Sequence, residues 1–318
     1  MVPNQPAGHD TDWLTGQSVF RGRQPQRRDE KDAWRMPNGD PPQRPMFPGI
    51  PRSLQRVIAL VTGASSGIGE ATARRIAREP GAQLILVARR EDRLRALALE
   101  LGGAPMVIAA DLTDADAPAR IAAAVDTWEG GLDLLVNNAG AAWRGAFGES
   151  GWENVRRHME LNFDAQVRLT EALLPLLRGN APSAIVNVAS TAGRVSRANS
   201  GAYSASKFAL AGWTDALHLE EREHGVHVGM VLPGFVATEG FPQRALVDRR
   251  LTRWIVSTPE KVADAIMDAG PGGRAERYVP RPYWLGAVVR IVLPRATRRA
   301  LGRGGGALTT ATPSRRGR

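Results

Sequence analysis

Of the 42 lysines and arginines in this chain, only three are lysine: Lys31, Lys207 and Lys261. Lys207 follows Tyr203 by four positions within "GAYSASKFALAGWTDALHLEERE", a stretch with helical periodicity. Positions i and i+4 share one face of a helix, so the phenol and the ammonium stand side by side. A free tyrosine has a pKa of about 10 and is a poor acid–base group near neutrality. A neighbouring ammonium favours the phenolate and draws the tyrosine towards working pH. Lysine can also grip a hydroxyl with one proton and relay another, which a permanently charged arginine does poorly. Taken alone, Tyr-x-x-x-Lys reads better as an amphipathic helix with incidental polar residues. Its weight depends on what else the chain brings to the same place.

A glycine cluster supplies a second kind of chemistry. "VIALVTGASSGIGEATARRIA" (57–77) spaces Gly63, Gly67 and Gly69 as G-x-x-x-G-x-G between an apolar run and a helical pattern. Glycines there permit a tight turn and close backbone approach, and the following helix N-terminus offers N–H groups to a pyrophosphate. Ser65 and Ser66 add hydroxyl donors, and Ile68 lies in the same loop. Dinucleotide folds place an acidic residue about 20 positions further on, against the ribose 2′-hydroxyl. This chain has Arg89 and Arg90 there. Two guanidiniums suit a 2′-phosphate, which points to NADP(H) over NAD(H); the bland alternative is solvated surface arginine. Asp111, followed by Leu112, ends a third apolar run, where it either meets the adenine edge or caps a helix from about 115. "NNAG" (137–140) puts Asn138, Ala139 and Gly140 after a fourth run, where small residues let the chain pass close to a cofactor.

The elements that must hold these residues alternate. Apolar runs at 57–61, 83–88, 106–110, 132–137, 184–189, 226–232 and 277–280 are separated by helical patterns at 67–79, 91–101, 115–129, 151–178, 202–223 and 259–269. Strands hydrophobic throughout are buried on both faces, so the expected fold is α/β, a doubly wound, Rossmann-like parallel sheet of about seven strands in one domain. Residues 1–55 read as a disordered Pro/Arg-rich extension, 56–280 as the dinucleotide-binding catalytic domain, 281–301 as an apolar and basic C-terminal helix, and 302–318 as a flexible tail.

Composition excludes several classes. The chain has no cysteine, which removes a disulfide scaffold, a thiolate metal site and a Cys nucleophile, and suits a reducing, cytoplasmic setting. No apolar run approaches the ~20 residues of a membrane span. Histidines 9, 158, 218, 224 and 227 form no H-E-x-x-H pair, so no metal site is expected. Ser190 lacks the G-x-S-x-G elbow of a hydrolase. The net charge of +10 is concentrated: residues 274–318 hold 11 basic and one acidic residue. That tail lacks the base-reading elements of a nucleic-acid binder, and no nucleic-acid partner is expected.

In family order, "TGASSGIG" (62–69), "NNAG", Ser190 in "IVNVAS", "YSASK" (203–207) and "PGFVAT" (233–238) resemble the short-chain dehydrogenase/reductase family over about residues 56–280. The resemblance maps a catalytic tetrad onto Asn162, Ser190, Tyr203 and Lys207. It implies that Ser190 and Tyr203 hydrogen-bond a carbonyl oxygen and that Tyr203 gives the proton. It further implies that Lys207 holds the nicotinamide ribose and relays protons through a water on Asn162. Pro233, Gly234, Val236 and Thr238 are implied against the nicotinamide, and a homodimer or homotetramer through 151–178 and 202–223. The implied function is hydride transfer between NADP(H) and an apolar ketone, aldehyde or secondary alcohol; the alternative is a catalytically silent NADP-binding regulator.

Substrate selection is expected from 192–199 and 239–257, with Trp143, Phe235, Phe241 and Trp254 lining an apolar pocket. Within 281–301, Trp284, Val288 and Ile291 recur at helical spacing, as do Leu285, Val289 and Val292, with Arg295, Arg298 and Arg299 following. This suits a helix lying peripherally on the inner face of a membrane; the competing readings are packing on its own domain or on a subunit partner.

Overall fold

A computed structural model describes residues 57–128, 131–239 and 255–303, all within one compact unit, Arg44–Arg318. Of the expected extensions 1–55 and 302–318, residues 1–55 and 304–318 lie outside the described residues, while 302 and 303 end the last helix. The aliphatic runs form β1 (Val57–Thr62), β2 (Ala82–Ala88), β3 (Met106–Ala109), β4 (Leu134–Asn137), β5 (Ser183–Val188) and β6 (Val226–Pro233). Two short strands, β7 (Phe235–Val236) and β8 (Val256–Ser257), pair apart from the main sheet, which β9 (Glu276–Val279) completes. The main sheet has seven strands, all parallel, in the order β3-β2-β1-β4-β5-β6-β9.

Strand residues alternate between two cores, which is why the runs read as continuously apolar. Val57, Ala59 and Val61 face a core built with α1 (Gly67–Ile76), α2 (Glu91–Leu101) and a later helix, α7 (Pro259–Ala269). Ile58 and Leu60 face the opposite core, with α3 (Ala117–Thr127), α5 (Ala165–Gly179) and α6 (Gly201–Glu221). Right-handed crossovers with helices on both faces satisfy both sides at once. The strand order reverses between β1 and β4, which opens a crevice at the C-terminal strand ends.

Two helical expectations need correction. The pattern at 151–178 is not one helix: α4 (Phe147–Met159), which is broken by a kink at Gly151 (φ 58°, ψ −163°), is separated from α5 by a π-helical turn over Glu160–Asp164. Such turns favour functional sites, because the widened turn re-aims a side chain; here it carries Asn162. The single helix expected at 281–301 is two, α8 (Tyr283–Val292) and α9 (Pro294–Arg303). Pro294 causes the break: proline disfavours helical geometry in the preceding residue, and Leu293 sits at φ −124°, ψ 60°.

Candidate active site

One half of the crevice is made of main chain. Gly63 has φ +66°, and a Cβ there would lie 2.9 Å from Asn138 Nδ2 and 3.0 Å from Ala139 Cα. A Cβ on Gly69 would lie 2.3 Å from the Gly63 carbonyl oxygen, so only glycine lets α1 close onto the end of β1. Thr62 fastens this turn to β4: its Oγ1 donates to Val136 O (3.1 Å) and accepts from Asn138 N (2.9 Å) and Ala139 N (3.0 Å). Asn138 Nδ2 donates back to Thr62 O (2.8 Å). Gly67 and Ile68, the first turn of α1, line the cleft with Ser65 and Ser66. Helix N-termini offer unpaired N–H groups to anions.

The two arginines behave differently. Arg90 donates to Ser65 Oγ from Nε (3.2 Å) and Nη2 (3.1 Å) and to Ser65 O (3.2 Å), bracing the glycine loop. Arg89 is 75% exposed, with Nη1 3.6 Å from Asp111 Oδ2. Asp111 closes its own turn by accepting from Thr113 N (3.0 Å) and Thr113 Oγ1 (2.8 Å). Burial pushes the Asp111 carboxyl up, but the Thr113 bonds and Arg89 outweigh it and hold it below its ordinary range. Helix α3 starts later than expected, at Ala117, so Asp111 does not cap it. A glycine-tight turn and a helix N-terminus at the strand ends fit the pyrophosphate of a dinucleotide.

The other half is made of side chains converging from separate elements. Tyr203 and Lys207 face the cleft from α6, beside Ser190 at the end of β5. Ser190 Oγ accepts from Ala192 N (3.1 Å) and donates to Pro233 O (3.4 Å). Lys207 Nζ donates to Val188 O (2.8 Å). Pro233, Gly234, Val236 and Thr238 complete the wall of a cleft of ≈ 630 Å³, which also contains Leu112, Ala139 and Gly140.

Two of the flagged residues, Gly69 and Asn162, stand behind that wall. Asn162 is fully buried. Its Oδ1 accepts from Ala141 N (2.9 Å), and its Nδ2 donates to Ala141 O (2.9 Å) and Ser206 Oγ (3.1 Å). Ser206 Oγ in turn donates to Tyr203 O (2.8 Å). Asn162 therefore ties the loop after β4 to the Tyr203 turn of α6.

Titration behaviour departs from the local reading. Burial pushes the Tyr203 phenol up, and the Ser190 hydroxyl and the Arg197 guanidinium oppose it without overcoming it. A cation from outside the helix, Arg197, thus bears on the phenol. Burial lowers Lys207 itself to about 7. A four-residue spacing sets neighbours but not desolvation, which comes from every element packed round the site.

Three further features are not singled out residue by residue by the sequence, although Arg197 falls within the expected stretch 192–199. Arg197 lies in the cleft wall with Cζ 4.6 Å above the Phe235 ring, held below its ordinary range by burial and then by Arg144. His158 Nε2 accepts from Trp143 N (3.0 Å), which leaves Nδ1 to donate to Asn154 O (2.6 Å). The buried imidazole is therefore neutral and pins the Trp143 strip of the wall. Beneath the site, Asn137 Nδ2 donates to Thr170 Oγ1 and Asn187 Oδ1 (both 2.9 Å), and Asn187 Nδ2 donates to Thr214 Oγ1 (2.9 Å). This chain of bonds locks β4 and β5 to α5 and α6. In an arginine-rich chain nothing local singles out Arg197, and His158 belongs to no motif. Trp143 and Phe235 line the cleft as expected, whereas Phe241, Trp254 and residues 240–254 lie outside the described residues.

The arrangement can place hydroxyl donors on one oxygen of a bound molecule while a buried cation-capable amine stands behind them. Comparison with known proteins agrees in kind. Residues 57–245 match the family described as short chain dehydrogenase. The chain is 38% identical over 226 residues to a putative ketoacyl reductase of Streptomyces coelicolor, covering 68% of this chain and 84% of that protein. It is 35% identical over 192 residues to mouse dehydrogenase/reductase SDR family member 7B, covering 58% of this chain and 59% of that protein, so it spans well under two thirds of that relative's length. The crystal structure of a short-chain dehydrogenase from Streptomyces avermitilis superposes with a TM-score of 0.66 at 30% identity, covering 79% of this chain and 98% of that one. A glycine turn, a Tyr–Lys helix face and a doubly wound sheet thus occur here in a chain that belongs to the short-chain dehydrogenase/reductase family, whose members are oxidoreductases using NAD(P)(H).

Proposed function

We propose that this protein is an NADP(H)-dependent oxidoreductase interconverting an apolar ketone or aldehyde with its alcohol. The observation that carries the reading is the convergence of Ser190, Tyr203 and Lys207 on the cleft that also contains the glycine turn. The nicotinamide supplies or accepts the hydride when bound. The protein's own residues do the rest. Gly63, Ser65, Ser66 and the first turn of α1 receive the pyrophosphate, and Arg89 and Arg90 favour a 2′-phosphate. Ser190 and Tyr203 polarise the carbonyl oxygen. The raised pKa of Tyr203 keeps it protonated through neutrality, so it is ready to donate in the reductive direction. Lys207, lowered to about 7, can gain and lose a proton near neutral pH. Asn162 acts as a positioning residue through Ala141 and Ser206.

Trp143 and Phe235 support an apolar substrate body, and Arg197 on the same wall gives room for a polar or anionic substituent. Because a relative is named a ketoacyl reductase, a ketoacyl compound belongs among the substrates tried. Self-association is part of the proposal, since Phe147 and Trp152 on α4 and Phe208 and Leu219 on α6 are exposed; a monomeric mass by light scattering excludes it. The deciding experiment follows NADPH consumption with apolar aldehydes, ketones and a ketoacyl ester, for the native chain and Tyr203→Phe. Turnover abolished by the substitution is expected. Turnover untouched by it, or NADPH binding without any turnover, overturns the reading, and the second outcome points to a cofactor-binding regulator.

A further inference from the structure

The C-terminal helices stand apart from the chemistry. In α8 only Ala287 is buried, while Trp284, Leu285, Val288, Val289, Ile291 and Val292 are between 42% and 76% exposed. Among the described residues, none covers this apolar face. What holds it is its first residue: Tyr283 OH donates to Ile255 O (2.9 Å), and its ring lies so close to Gly234 that a Cβ there would meet Tyr283 Cε2 at 2.2 Å. Thr297 Oγ1 donates to Leu293 O (3.0 Å), joining α9 to the end of α8. Arg290, Arg295, Arg298 and Arg299 lie on these helices, and no Asp or Glu occurs from residue 277 to the C-terminus.

We propose that the α8–α9 face docks the protein peripherally on an anionic lipid surface. The exposed apolar residues call for a hydrocarbon phase, and the arginines call for negative charge beside it; an anionic membrane surface supplies both. A second copy of the chain meets the first need but sets two acid-free arginine clusters against each other. A nucleic acid meets the second need but leaves Trp284 and Ile291 unburied. Ten residues of α8 span ~15 Å, half of a hydrocarbon core, so the helix lies on the membrane and does not cross it. Among the described residues no helix is long and apolar enough to cross. Since Tyr283 touches Gly234, a cleft-lining residue, docking holds the cleft close to the lipid.

The test is co-sedimentation of the full chain with phosphatidylcholine vesicles, with and without phosphatidylserine. We expect binding that requires phosphatidylserine and weakens with salt. Trp284→Ser combined with Ile291→Ser is expected to cut binding at least tenfold without lowering the melting temperature, because both side chains are exposed. Arg295→Glu, Arg298→Glu and Arg299→Glu together are expected to cost about fivefold per arginine. Absence of native binding to either vesicle overturns the proposal. So does equal binding by native chain and variants. A halved mass in light scattering of the Trp284/Ile291 variant, with vesicle binding unchanged, assigns the face to a second copy instead.

Discussion

The two halves of the cleft are built by different means. The dinucleotide half is main chain: Gly63 and Gly69 let a turn and a helix close to van der Waals limits, and Thr62 and Asn138 clamp the result. The reactive half is side chains from β5 and α6, braced by the π-helical turn and the loop after β4. A backbone-built site tolerates no added atom but is indifferent to most neighbouring side chains. A side-chain-built site depends on each functional group and on the burial that sets its protonation. Substitutions in the two halves should therefore fail in different ways.

The largest effect is expected from Tyr203→Phe, which keeps the ring but removes the proton donor; kcat should fall ~10²–10⁴-fold with an unchanged melting temperature. A fall below tenfold would place the donor elsewhere. In the dinucleotide half, the proposed NADP(H) preference has Arg89→Ser raise KM for NADPH by ~10–100-fold and leave KM for NADH nearly unchanged, since a charge-assisted bond to a 2′-phosphate is lost together with only an exposed 3.6 Å contact to Asp111. Arg90→Ser should raise both, because Arg90 also braces Ser65. Identical ratios for the two variants would remove this distinction. Gly69→Ala should destabilise the fold by ~1–3 kcal/mol, through the clash with the Gly63 carbonyl, in a denaturant titration. A stability equal to native would mean that α1 can move away from β1.

The last effect is on stability in the reactive half. Lys207 sits at about 7 in the folded protein, against ~10.4 unfolded. Between those values the unfolded chain binds more protons, so this group makes stability rise with pH across that window, and its cost is fully present below it. Lys207→Met removes that dependence. The variant should melt higher relative to native below about pH 7, and the gain should shrink towards about pH 10, although activity is lost. A pH-independent difference would mean that Lys207 is not desolvated as the fold implies.

Much of this was readable before any coordinates, and the reasons are physical. Alternating apolar runs and helical patterns fix a doubly wound sheet because both faces of each strand must be buried. The glycine spacing between β1 and α1 is a local backbone requirement, and Tyr203 with Lys207 is a local helix spacing. Chain order alone could not bring Ser190 beside them, put Asn162 behind the wall, or select Arg197 from so many arginines. Nor could it show that burial raises Tyr203 and lowers Lys207, since desolvation sums contributions from elements far apart in sequence. The amphipathic pattern of 283–292 was legible too, but whether its apolar face was covered was decided only by packing. The sequence determined the elements and the residue types that can do the chemistry; the tertiary structure decided which of them meet, which are shielded from water and which stay exposed.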